Sequence, residues 1–328
     1  MKKYLLFLFI IIFISKISYS QIDMGAALQG VGQLYAEKYL APFTTGIGAE
    51  LNSGFMGGYN PSEYSKFPIF PHVYAGVKFC GLLLDQSDKY FNLAYTSKAK
   101  INFGAYGDRE VDVLYSIYNA PTVFGGPKVP MTGTYQNPIT GQTETIQSET
   151  LPGIADTRFQ FLAIPQIGIG TLLGTDVTFR TIPGISVNNY GSFKLFGVAL
   201  RHSLGAYIKS MPFDLSVQLG YQNFGITDNS NTKIISANTE FANVMIYKSF
   251  PIISIYLGGQ FENYSVNVNY SFVNPYTGSV QTIGFNQVGD NSFRAVVGGN
   301  IKVGPAIFNA DVNIGSKTVF TSGLGVTL

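Results

Sequence analysis

Few residues in this chain are equipped for chemistry. His72 and His202 are the only histidines, and Cys80 is the only cysteine. A hydrolytic site needs a nucleophile, a base and a group that orients the base, all within reach of one another. Ser203 and Asp214 are the nearest candidates to His202. His202 and Ser203 are consecutive, however, so on a strand they point to opposite faces. The strand phases put Asp214 inward and His202 outward. His202 therefore reads as a satisfied interfacial histidine. No His and Cys cluster has metal-ligand spacing, and no glycine tract leads into Lys-Ser/Thr as a phosphate loop does. The Gly-Gly pairs at 57–58, 125–126, 258–259 and 298–299 read as strand bends or close backbone approach. The chain is expected to be no enzyme and to carry no cofactor or metal.

What remains is a set of scattered charges on alternating segments. If the apolar phase of each segment faces outward, the other phase carries the bases Lys78, Lys98, Lys100, Arg158, Arg180, Arg201, Arg294 and Lys302. The same phase carries the acids Glu110, Asp112, Asp176, Asp214, Glu240 and Asp311. A ring of one sign would argue for charge selection. This mixed set argues for ion pairs that fill an interior or hold a plug.

The elements that must position these charges are strands. Asp214, Ser216, Gln218, Gly220 and Gln222 alternate with Phe213, Leu215, Val217, Leu219 and Tyr221. Phe308, Ala310, Val312 and Ile314 alternate with Asn309, Asp311 and Asn313. The same period of two recurs around Val177, Phe91, Val111 and Phe293. Working back from the C-terminus, strands are expected near 318–328, 305–315, 280–303, 252–273, 234–250, 212–226, 193–207, 174–182, 158–172, 108–118, 89–103 and 70–84. In 252–273 the apolar phase slips at Glu262-Asn263, which calls for a bulge or a turn. A turn would raise the count, so twelve to fourteen strands are expected. Short links at Lys209–Pro212, Ser249–Pro251 and Gly304-Pro305 alternate with longer ones at 119–157, 184–192, 227–233 and 274–279. Asn137-Pro138-Ile139-Thr140-Gly141 and Asn274-Pro275-Tyr276-Thr277-Gly278 repeat one hairpin chemistry.

Composition narrows the class. Only 12% of the 328 residues are charged, against about a quarter in ordinary soluble domains. The formal charge of +2 comes from 21 bases and 19 acids. Lys2, Lys3 and Lys16 stand in the first twenty residues, which hold no acid, so the remainder is 18 − 19 = −1. That leaves no basic face for nucleic acid. Met1-Lys2-Lys3, the apolar run Leu5 to Ile14 and Ser18-Tyr19-Ser20 have the layout of a cleaved secretory signal, residues 1–20. No later stretch approaches the ~20 apolar residues of a spanning helix. An exported chain of this pattern enters a membrane only as a closed barrel.

Residues 21–65 do not alternate. Leu28, Val31, Tyr35 and Tyr39 recur at helical spacing, and Pro42 is expected to end that helix. The segment reads as a helical plug ahead of a barrel over 66–328. The expected architecture is thus all-β: an antiparallel transmembrane β-barrel with a short N-terminal plug, in the outer membrane of a Gram-negative cell.

Several segments carry a family resemblance. They are Tyr39-Leu40-Ala41-Pro42-Phe43, Leu51-Asn52-Ser53-Gly54-Phe55, Pro121-Thr122-Val123-Phe124-Gly125, Phe179-Arg180-Thr181-Ile182-Pro183 and Lys194 to Leu204. Together they resemble a family of uncharacterised outer-membrane β-barrel proteins, a domain of unknown function. That family is distantly similar to the long-chain fatty-acid transporters. The resemblance implies a barrel with an N-terminal hatch, and it transfers no ligand-binding residue. The expected partners are membrane lipid and a small apolar solute that passes or binds. The rival reading is a structural protein whose outer loops, above all 119–157, dock an outer-membrane protein used in secretion or surface assembly.

Overall fold

The computed structural model describes residues 33–58, 72–170, 174–187, 191–208, 211–228, 232–273, 280–289 and 291–327. The signal segment, Leu28, Val31 and the turn at 274–279 lie outside them. The chain divides into two compact units, Met1–Pro42 with Asp85–Thr157, and Phe43–Leu84 with Arg158–Leu328.

The second unit is a barrel. Its strands are β1 (Val73–Leu83), β6 (Phe159–Gly170), β7 (Thr175–Val187), β8 (Gly191–Ser203), β9 (Asp214–Thr227), β10 (Lys233–Ser249), β11 (Ile253–Val273), β12 (Val280–Val288), β13 (Phe293–Val303), β14 (Ala306–Ile314) and β15 (Val319–Thr327). Ten of them close a ring in the order β1-β6-β7-β8-β9-β10-β11-β13-β14-β15, every neighbour antiparallel and β15 back on β1. The long strand β11 serves two partners on one side, β13 along Ile253–Phe261 and β12 along Ser265–Val273. The closed wall therefore has ten strands, not twelve to fourteen. The expected strands at 89–103 and 108–118 belong to the other unit, and 280–303 is two elements, β12 and β13.

The expected slip at Glu262-Asn263 is neither bulge nor turn. The register of β10 on β11 runs unbroken from Ser249↔Ser254 to Ile235↔Val268. Even positions of β11 from Ser254 to Val268 face inward: Ser254, Tyr256, Gln260, Glu262, Tyr264, Val266 and Val268 are buried, and Gly258 is half-buried. The chemistry inverts instead. Below Phe261 the outward residues are Ile253, Ile255, Leu257 and Phe261; above it they are Asn263, Ser265, Asn267 and Asn269. Inward, polar Gln260 and Glu262 give way to Tyr264, Val266 and Val268. Neighbouring β10 inverts at the same level, from Ile246 and Val244 to Glu240 and Asn238. The lower wall has an oily exterior and a polar interior, and the upper wall has the reverse.

The first unit holds a four-stranded antiparallel sheet of β2 (Tyr90–Asn102), β3 (Asp108–Pro121), β4 (Pro130–Gln136) and β5 (Thr143–Glu149), in that order. One face packs as Val111, Val113 and Tyr135 with Ala99, Ile101, Tyr115 and Ile146. The other is wet, and carries the exposed pairs Lys98–Glu110 and Lys100–Asp108. An alternating strand satisfies such a one-sided sheet as well as a barrel wall, which is why β2 and β3 read as barrel strands. At the β4–β5 turn Asn137 Oδ1 accepts from Ile139 N at 2.8 Å, and Gly141 takes φ 71°. The Tyr135 hydroxyl and Asn137 amide donate to Glu144, holding its carboxyl below the usual value of 4.5.

Helix α1 (Gln33–Leu51) runs through Pro42 instead of ending there. The proline removes one backbone donor, and the unit boundary falls at that residue. Tyr35 and Tyr39 belong to the first unit. Tyr35 packs edge-on against Phe91, with centroids 5.4 Å apart, and its hydroxyl accepts from Leu151 N at 3.0 Å. Tyr39 donates to Pro152 O at 2.9 Å.

Candidate functional site

The lumen of the barrel is occupied by residues of its own unit, Phe43 to Gly58. Helical residues to Leu51 are followed by a turn at Gly54, whose φ of +76° suits only glycine without strain. The contacts of this segment fall in sequence from one end of the barrel to the other. At the end where β1 finishes, Gln160 donates to Phe43 O at 3.4 Å and to Glu50 Oε2 at 3.0 Å. Thr44 donates to Gln287, which donates to Thr45 Oγ1 at 3.0 Å. Gly46 and Gly48 permit this closeness: a Cβ on either would stand 2.1 Å from Gln160 Oε1 or 2.4 Å from the Tyr264 ring.

Farther along, wall side chains grip the backbone. Arg180 Nη1 donates to Leu51 O at 3.2 Å and Ser53 O at 2.9 Å, and its guanidinium lies 3.3 Å from the Phe55 ring centroid. Gln222 donates to Leu51 O, and Gln260 to Asn52 O at 2.9 Å. Tyr247 donates to Met56 O, and Lys78 Nζ to Gly57 O at 2.8 Å. Gly58 N–H donates to Asn300 Oδ1 at 2.9 Å. There, beside the turns at 249–253 and 303–306, a cavity of about 370 Å³ opens, lined in part by Gly58, Phe250, Ser254, Asn300 and Lys302. Phe43–Gly58 thus spans the lumen from one end of the barrel to the other.

The expected lumen charges divide. Lys78, Asp176, Arg180, Arg201, Asp214, Arg294 and Asp311 are buried inside the wall, and Lys302 is half-buried at the turn end. Arg201 Nε meets Asp176 at 3.0 Å. Asp214 accepts from Ser203 at 2.6 Å, and Asp311 from Tyr256 at 2.7 Å. Lys98, Lys100, Glu110 and Asp112 are not in the lumen, because they ride on the wet sheet of the other unit. Arg158 is exposed just ahead of β6, and Glu240 faces outward above the inversion on β10. Sequence reading missed the buried acids Glu50 and Glu262. Glu262 accepts from Arg294 through two bonds, Nε to Oε2 at 3.0 Å and Nη2 to Oε1 at 2.8 Å. Its even position on an unslipped β11 was the available signal. Of the stripe expected as plug, Tyr35 and Tyr39 pack within the first unit, and the segment held in the lumen by the barrel's own unit is Phe43–Gly58.

Ser203 and His202 point apart. His202 Nδ1 lies 2.7 Å from Thr175 Oγ1 on the outer side, while Ser203 meets Asp214 inside. No group of three potential metal ligands occurs among the described residues.

These features define a plugged antiparallel β-barrel. The chain belongs to the family of unknown function DUF6588, whose model matches residues 1–328. No curated protein matches it. Among solved structures it is similar to OmpT, an outer membrane protein of Vibrio cholerae, at 11% identity over 79% of this chain and 99% of that one, with TM-score 0.24. It is similar to the P. putida toluene transporter TodX at 8% identity over 82% and 90%, with TM-score 0.23. It is also similar to Pseudomonas aeruginosa OccK1 (OpdK) at 10% identity over 79% and 97%, with TM-score 0.18. At TM-scores this low none of them specifies a function for this chain.

Proposed function

We propose that this protein is an outer-membrane barrel that passes or binds a small solute by displacing the segment threaded through its lumen. The observation that carries the reading is how the plug is held. Its carbonyls are bound by polar side chains from the wall, and water can replace such bonds during a shift; Phe55 and Met56 add apolar packing against Phe241 and Met245. The membrane setting is supported by the lower wall, where β1, β6, β11, β13 and β14 turn an apolar face outward. That is what lipid requires of a closed barrel. An apolar solute suits the upper interior, where Leu195, Phe224, Ile226, Val266, Val268 and Ile283 point inward. The fatty-acid-transporter resemblance in the sequence points the same way.

A second reading has its own observation. The sheet β2–β5 carries an exposed polar face and Tyr118 at 80% exposure, features of a display surface that docks an outer-membrane protein. Conductance across a planar bilayer separates the two. The gate reading expects a near-silent wild-type barrel and open events in Gly57→Val, whose Cβ would collide with Asn309 at 2.4 Å. A variant as silent as wild type, but correctly folded, supports the docking reading instead.

A further inference from the structure

We propose that Arg180 and Lys78 form an anion-binding site in the lumen, filled at rest by the plug's own carbonyl oxygens and taken by a carboxylate or phosphate group once the plug is displaced. This rests on the gate reading above, and adds the chemical class the gate admits.

Among the described residues the wall buries four cations, and they fall into two kinds. Arg201 and Arg294 each have a carboxylate, Asp176 and Glu262. Arg180 and Lys78 are both fully buried, yet among the described residues neither has a carboxylate at ion-pair distance. Their hydrogen-bond partners are plug carbonyls, Leu51 and Ser53 for Arg180 and Gly57 for Lys78, with the wall amides Gln166 and Asn309 completing them. Arg180 Nη2 is buried with no hydrogen-bond partner among the described residues, and it points at Gly54, whose Cβ would stand 3.4 Å away.

The acids are placed differently. Asp176 and Glu262 have their arginines, Asp214 has Ser203, and Asp311 has Tyr256 and Asn313. All of these partners belong to the wall. Withdrawing the plug therefore strips acceptors from two cations and leaves the acids' wall donors in place. A buried charge without a counter-charge is costly, and a carboxylate or phosphate matches a guanidinium's parallel donors better than peptide carbonyls do. The plug thus imitates the anion it excludes.

The test uses the full chain opened by a wedge, either Gly57→Val or Gly48→Val, in a planar bilayer under a KCl gradient, with potassium acetate then replacing KCl. The expected reversal potential shows anion preference for chloride and acetate alike. Adding Lys78→Gln and Arg180→Gln to the same background should lower that preference several-fold, while Arg180→Lys, which keeps the charge but not the parallel donors, should keep the preference for chloride and weaken that for acetate. Cation preference, or an anion preference that the double substitution leaves unchanged, overturns the site while leaving the gate intact. Silence in both folded wedge variants overturns the gate and the site with it.

Discussion

Leu257 and Asn267 lie on one strand, have the same parity and both face away from the lumen. In water, replacing either by Arg would change stability little, since both side chains are exposed. In a bilayer the two positions differ sharply. The outward apolar run on β11 extends from Ile253 to Phe261, eight steps of ~3.4 Å, or about 21 Å of depth at the ~40° tilt usual for barrels. That compares with an apolar band of ~25 Å. Leu257 is at its centre. Asn267 stands six residues past Phe261, about 16 Å beyond the band edge by the same geometry.

Leu257→Arg should therefore cost about 2–4 kcal/mol, the range for a cation on the lipid face at the midplane, and Asn267→Arg about 0–1 kcal/mol. The assay is reversible urea unfolding of barrels folded into phospholipid vesicles, followed by tyrosine fluorescence and by the heat-sensitive mobility of the folded band. Equal small effects for the two substitutions would refute the claim that the inversion at Phe261 marks the lipid boundary.

Breaking the fully buried Arg294–Glu262 pair by Glu262→Gln should cost roughly 3–5 kcal/mol, and Arg294→Met about as much. The double variant should cost far less than the sum, as a double-mutant cycle in the same urea assay would show. Tyr135→Phe should raise the Glu144 titration midpoint towards 4.5, read by NMR. The depressed carboxyl supports the β4–β5 hairpin above about pH 4.5 and loses that support as pH falls through the lower folded value, so hairpin amide protection should decline on acidification, and less so in Tyr135→Phe.

Much of the barrel was legible because lipid and lumen impose a strict period of two. Leu215, Val217 and Leu219 against Ser216 and Gln218 could sit on no other kind of element, and ten of the twelve strands read from the sequence are wall strands. The same period misplaced β2 and β3, since Val111 and Val113 pack equally well under a soluble sheet. At Glu262 the pattern misled for a physical reason. An apolar side chain marks the outside of a barrel in lipid and the inside of one in water, so a strand that crosses the boundary of the proposed membrane setting inverts its chemistry without turning. The plug was legible as a segment but not in its extent. Pro42 suggested a stop, and only the glycines at 46, 48, 54, 57 and 58 hinted that a chain must pass close to a wall. Which wall donors meet its carbonyls depends on pairings between residues more than a hundred positions apart, and no local pattern carries that.

If the proposed gate operates, Phe43–Gly58 must leave its place in the lumen for solute to pass. A Cβ built on Gly54 stands 3.6 Å from Cys80 Sγ, close enough for Gly54→Cys to form a disulfide with that single native cysteine after small adjustment. Uptake into vesicles containing this variant, opened by Gly57→Val, should be blocked by mild oxidation and restored by reductant. Uptake that proceeds unchanged with the disulfide formed would contradict the gate.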